Sequence, residues 1–144
     1  MFYPLYVLTI GADTPDFHSL TKAFHTYGVP HQHVSPEEDG SVAFYFYKER
    51  ADAMFVPTLI MLDNDTCQSA SVLGQLKHHS VLRRIPVIIY GRHNNPEVVT
   101  LTYQLGAACY MPRPDNWSSA MMAFCSYWQK RVAFPAIRAE DILL

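Results

Sequence analysis

No apolar run in the 144 residues approaches the roughly 20 that cross a bilayer. The opening Met1-Phe2-Tyr3-Pro4 lacks the basic stretch of a secretion signal. Cysteine is scarce: Cys67, Cys109 and Cys125 form no CxxC pair, and an odd number of thiols suits a reducing cytosol. A cytoplasmic protein without a membrane span is therefore expected. Charge is sparse as well, at 17% of residues with a formal net charge of −2. The scattered Lys and Arg give no cluster for a nucleic-acid backbone, so no nucleic-acid partner is expected. The seven histidines, His31/His33 and His78-His79 among them, match no zinc spacing and read as solvated loop and helix-end residues. A glycine-rich phosphate loop is also missing.

What the chain has in quantity is hydrophobic residues, 49% of the total, enough to fold one domain without disulfides or metals. Apolar strand-like runs alternate with amphipathic stretches, the pattern of repeated βα units around a parallel sheet. Tyr6 to Ile10 is a short buried-strand run stopped by Gly11. Thr14-Pro15-Asp16 then starts a helix, with Thr14 as N-cap, Pro15 at the first helical position and Asp16 complementing the dipole. Phe17, Leu20, Phe24 and Tyr27 recur at helical spacing, and Gly28 supplies a left-handed stop. His31 to Ser35 reads as a second, edge strand. Ser41 to Lys48 fits helix or strand by periodicity, and chain order favours helix.

Thr58 to Leu62 is a continuous apolar run ending abruptly in Asp63-Asn64-Asp65, as buried central strands do. A helix over Ser69–His79, a strand over Ile85–Tyr90 and a helix from Pro96 to Leu105 follow. A fifth strand spans Ala108–Met111, broken by Pro112-Arg113-Pro114. Asn116 caps a last helix through Val132, whose apolar stripe is Trp117, Met121, Phe124, Trp128 and Val132. The expectation is one domain over 1–144, with a core of about 5–132 and a tail over 133–144.

In an open α/β sheet ligands bind beyond the carboxyl ends of the strands. Gly11, Ala12 and Asp13 fall there, as do Asp63, Asn64 and Asp65, Gly91 and Arg92, and Arg113. Carboxylates facing an arginine across such a crevice suit a cation or a phosphoryl group.

The strings PTLIMLD, LKHHSVLRRIPVII and LGAACYMPRP, within Pro57–Pro114, resemble a response-regulator receiver domain, and the βα order agrees over about residues 5–132. That resemblance implies a flavodoxin-like, doubly wound five-stranded parallel sheet in the order 2-1-3-4-5, with helices on both faces. It also implies a single-domain member of two-component phosphorelay signalling, not an enzyme, with a histidine kinase or another signalling protein as partner. Asp63 matches the aspartate that takes phosphate, Arg113 stands in place of the family lysine, and Gly91 and Tyr110 fall on the two switch positions. Asp65 matches the family's backbone carbonyl ligand, so its side chain is not implied. The Arg113–Pro114 bond is implied to be cis. A homodimer through the fourth helix, fifth strand and fifth helix is implied too, with Tyr103, Tyr127 and Trp128 offering aromatic surface.

Departures from the family define the alternatives. Gly11-Ala12 replaces the acidic pair after strand one, so Asp13 would have to slide in beside Asp63 to hold Mg2+ weakly. Gly91 replaces a hydroxyl residue and removes the usual lever between phosphate and Tyr110. One reading is an atypical or pseudo-receiver that docks partners with Asp63 paired to Arg113. The other is a receiver still phosphorylated at Asp63. A flavodoxin-like small-molecule binder is the third.

Overall fold

The computed structural model describes residues 5–35, 57–79, 82–92 and 95–131, with side chains through residue 126. The expected helix at Ser41–Lys48, the side chains of Tyr127, Trp128 and Val132, and the tail over 133–144 lie outside the described residues. Five parallel strands form one sheet in the order β2-β1-β3-β4-β5. They are β1 (Val7–Ile10), β2 (His31–Val34), β3 (Leu59–Asp63), β4 (Val87–Gly91) and β5 (Cys109–Pro112). The described helices are α1 (Pro15–Thr26), α2 (Ser69–His78), α3 (Pro96–Gln104) and α4 (Trp117–Arg131). This is the expected flavodoxin-like order. A 3-10 turn at Leu82–Arg84, not expected from the sequence, leads into β4. Among the described residues no helix is long and apolar enough to cross a membrane.

Three of the four described helices, α1, α3 and α4, start at a side-chain cap. Thr14 Oγ1 accepts from the N–H of Phe17 at 3.1 Å, Asn95 Oδ1 from Glu97 at 2.9 Å and Asn116 Oδ1 from Ser119 at 3.2 Å. Gly28, at φ 66°, closes α1 in the left-handed region that costs other residues a steric penalty.

Alternation along the strands divides the core in two. Leu8, Ile10, Ile60, Leu62, Val87, Ile89 and Tyr110 pack with Val72, Leu73 and Leu76 of α2. Val7, Leu59, Met61, Ile88 and Tyr90 pack with Leu20 and Phe24 of α1 and Trp117 and Met121 of α4. Strands β3 and β4 are buried on both faces, which is why they read as unbroken apolar runs. Each fully buried Leu, Ile or Val contributes about 1.5–3 kcal/mol. The same alternation decides what meets at the carboxyl end. Asp63 continues the Leu59–Met61 parity and faces α1 and α4, whereas Gly91 continues the Val87–Ile89 parity and faces α2 with Tyr110.

Two glycines give opposite expected outcomes in urea unfolding. Gly28→Ala meets no atom within 4 Å, so its cost is backbone alone, about 1–2 kcal/mol. Gly74→Ala, inside α2 and also without a neighbour within 4 Å, should stabilise by about 0.5–1 kcal/mol through helix propensity. Equal shifts of the midpoint at unchanged slope would contradict the backbone argument.

Candidate functional site

Three loops converge beyond the carboxyl ends of β1, β3 and β5. The sharp turn after Asp63 is held by its own polar groups. The N–H of Asp65 donates to Asp63 Oδ1 at 2.9 Å, the N–H of Asn64 to the Tyr90 carbonyl at 2.9 Å, and the Ala12 N–H to Thr66 Oγ1 at 3.0 Å. Cys67 donates its thiol to the Asp63 carbonyl at 2.7 Å. Burial, and then the Asp63 carboxylate, push that thiol up to about 12, which disfavours the thiolate. Beyond β5, Arg113 extends the ladder by one step, its N–H donating to the Gly91 carbonyl at 2.9 Å. The parity of Cys109 and Met111, which pack on the α1 and α4 side, sends the Arg113 side chain to the same face as Asp63.

The guanidinium meets three carboxylates there. Nη2 lies 2.6 Å from Asp63 Oδ1, Nε lies 2.9 Å from Asp65 Oδ2, and Nη1 is paired with Asp16 Oδ2. Each nitrogen serves a different carboxylate. Each carboxylate also takes a neutral donor: Asp16 from Trp117 Nε1 at 2.9 Å, Asp63 from the Asp65 N–H and from Thr66, and Asp65 from the Arg92 N–H at 3.1 Å. The Tyr90 ring closes the group from below, 4.9 Å from the guanidinium carbon, and Trp117 meets Tyr90 edge-on. Arg113 and Asp63 side chains are 8% and 3% exposed, so water screens this pair poorly. Burial raises the Asp63 carboxyl above its ordinary value, opposed by hydrogen bonds from the Asp65 N–H and from Thr66. The guanidinium in contact supplies the positive charge that a buried carboxylate requires.

The sequence expectations meet this geometry unevenly. Asp63 and Arg113 come together directly. Asp13 does not join them: its carboxylate is exposed and sits 2.8 Å from His18 Nε2, outside the cleft. The carboxylate from the first loop is instead Asp16, one helical turn position further on, where the start of α1 points back over the sheet. Its long-range partner Trp117 lies 101 positions away, beyond the reach of sequence spacing. Asp65 contributes its side chain, which the family pattern did not imply. The peptide bonds of the described residues are all trans, so the expected cis bond before Pro114 is corrected, in line with the ordinary trans preference of X–Pro bonds. Restoring an acid at Gly11 is sterically closed, because a Cβ there would lie 2.8 Å from the Asp63 Cβ. Tyr110 is buried, with its backbone N–H donating to Tyr103 Oη at 3.1 Å.

The cleft over these groups, about 670 Å³, is lined by Asp16, Asp63, Asn64, Asp65, Thr66, Arg92 and Arg113, with Thr14 and Pro15 at its edge. Receivers use a divalent cation here, and three carboxylates are chemically suited to one. Their arrangement is not. Among the described residues no set of three or more His, Cys, Asp or Glu is grouped to hold a metal ion, and the guanidinium already binds all three acids. Arg113→Gln should therefore leave three crowded carboxylates and lower stability by about 3–5 kcal/mol, the usual cost of breaking a buried pair. Added Mg2+ should raise the Tm of that variant and leave the wild type unchanged. A Tm of the wild type that rises with Mg2+ as much as the variant's would contradict the arrangement.

No protein-family model matches the chain. Response regulator Rcp1 of Synechocystis is 24% identical over 140 residues, covering 92% of this chain and 95% of that protein. Among solved structures, a response regulator in red light signaling of R. palustris superposes with a TM-score of 0.75 at 20% identity, covering 92% of this chain and all of that one (100%). The phosphorylated cyanobacterial phytochrome response regulator RcpA gives 0.73 at 24% identity over 93% of this chain and 100% of its own. The Mn2+-bound form of Rcp1 gives 0.73 at 23% identity over 92% and 100%. Strand order and these likenesses agree: the chain has the flavodoxin-like fold seen in response-regulator receiver domains.

Proposed function

We propose that this protein is an atypical receiver of two-component signalling that works by docking partners, with Arg113 doing statically what a divalent cation does transiently in phosphoryl transfer. The observation that carries the reading is the guanidinium bound at once to Asp16, Asp63 and Asp65. Phosphorylation of an aspartate requires an accessible carboxylate oxygen and a cation that neutralises the incoming phosphoryl oxygens. Here the positive charge is spent on the resting carboxylates, and its planar fork fixes the geometry in a way a point ammonium would not.

The protein acts through contact rather than catalysis, in the cytoplasm, with a histidine kinase or another signalling protein as partner. Two of its solved relatives are a red-light regulator and a phytochrome regulator, so a phytochrome-type kinase is the first partner to test. Leu101 and Tyr103 on α3 and Met122 on α4, each about half exposed, offer apolar surface for a homodimer at the α3–β5–α4 face. The second reading, phosphotransfer to Asp63, is favoured by one observation: the relative RcpA was solved phosphorylated. It requires Arg113 to leave Asp63 and a weakly held Mg2+ to replace it.

Acetyl phosphate with Mg2+, followed by intact mass, separates the two. The wild type should gain no phosphoryl group. Arg113→Lys, which exchanges the fork for the family's ammonium, should gain one that Asp63→Asn abolishes. A wild-type adduct lost in Asp63→Asn would establish the second reading instead.

A further inference from the structure

Gly91 ends β4, and its φ is not among the positive values, which belong only to Gly28 and Gly106 among the described residues. The backbone there suits any residue, so conformation does not explain the glycine. Space does. A Cβ on residue 91 would lie 2.8 Å from the Tyr110 hydroxyl, 3.1 Å from Asp65 Oδ1 and 3.2 Å from Asn64 Cβ. Strand register puts Tyr110 opposite Ile89, two residues before Gly91 is paired with Pro112 and on the same face, so the ring leans along the strand into the volume that a side chain at 91 would fill. Tyr110 is only 8% exposed and belongs to the core cluster on the α2 side, with Val99 and Leu105 packed against the same cluster. Its backbone N–H is tied to Tyr103 Oη on α3.

We infer that Gly91 is a positioning residue that keeps Tyr110 permanently seated inward, so that the α3–β5 face holds one arrangement whatever happens at Asp63. A contact below 3.0 Å forces a shift, and the atom that can shift at low cost is the far end of the tyrosine side chain. Any larger residue at 91 would therefore displace the ring towards the α3–β5 surface. Asn64 Cβ and the Asp65 carboxylate are the other walls of the seat, and the carboxylate is tied by the Arg92 N–H and by Arg113 Nε. The inference rests on packing, not on whether Asp63 takes phosphate, so it goes beyond the function proposed above.

The test is 19F NMR of the full chain labelled with 3-fluorotyrosine, with the Tyr110 signal assigned by its loss in Tyr110→Phe. In the wild type one Tyr110 signal is expected, weakly broadened by a soluble paramagnetic agent and unmoved by acetyl phosphate with Mg2+. Gly91→Ala and Gly91→Thr should shift the signal and raise its broadening severalfold. Gly91→Ala should also lower the urea midpoint less in a Tyr110→Phe background, where the clashing hydroxyl is gone. If Gly91→Ala fails to fold, recovery of folding in the double variant supports the seat, and failure of both overturns it. Two exchanging Tyr110 signals in the wild type, or an unshifted buried signal in Gly91→Ala, would overturn it as well. An Asp63 adduct with a stationary Tyr110 would sink the proposed function alone; a mobile Tyr110 without an adduct would sink this inference alone.

Discussion

The carboxyl end of this sheet depends on a single charge. Asp16, Asp63 and Asp65 would repel one another in a poorly hydrated crevice, and the Arg113 guanidinium is the group that lets them share it. At an effective dielectric of about 20, two unit charges about 4 Å apart interact by roughly 4 kcal/mol, so a guanidinium in contact with all three acids offsets much of their mutual repulsion. The neutral donors from Trp117, Asp65 and Arg92 add a further hydrogen bond to each carboxylate, which helps a partly buried ion cluster to persist. This cluster also joins elements distant in sequence: the start of α1, the turn after β3, the end of β5 and the first residue of α4.

Strand alternation separates this cluster from the second feature of the domain. Residues in register with Leu59 and Met61 look towards α1 and α4 and build the ion cluster; residues in register with Val87 and Ile89 look towards α2 and build the Gly91–Tyr110 seat. Asp65 and Asn64 stand at the junction, touching both. A receiver that signals by moving its aromatic switch needs a side chain at residue 91 to transmit the change across this junction. Here glycine leaves a space, and the tyrosine hydroxyl is in it.

The sequence was most legible where burial imposes a pattern. The continuous apolar runs at Thr58–Leu62 and Ile85–Tyr90 became β3 and β4, and Thr14-Pro15-Asp16 became the capped start of α1 because cap chemistry is local. Asp63 and Arg113 were legible as members of one site because each lies at the carboxyl end of a strand of a parallel sheet, where the loops converge. The sequence points to Asp13 for the cleft and to Asp16 only as a complement to the helix dipole, because counting along a loop does not tell which carboxylate turns inward; here Asp13 meets His18, and the first turn of α1 delivers Asp16 to the cleft. Trp117 was legible only as the apolar face of the last helix, since its Nε1 hydrogen bond to Asp16 depends on how α1 and α4 pack. The seat of Tyr110 likewise depends on an interatomic distance, and a glycine in a sequence records only that a side chain is missing.

The central claim, that a guanidinium and not a metal ion holds the three carboxylates, is tested most directly by titrating the wild-type protein with Mn2+. Paramagnetic broadening of the amide signals of Asp16, Asp63, Asp65 and Arg113 would report the ion's presence. The account predicts no saturable broadening at millimolar Mn2+; saturable broadening centred on Asp63 and reversed by EDTA would contradict it.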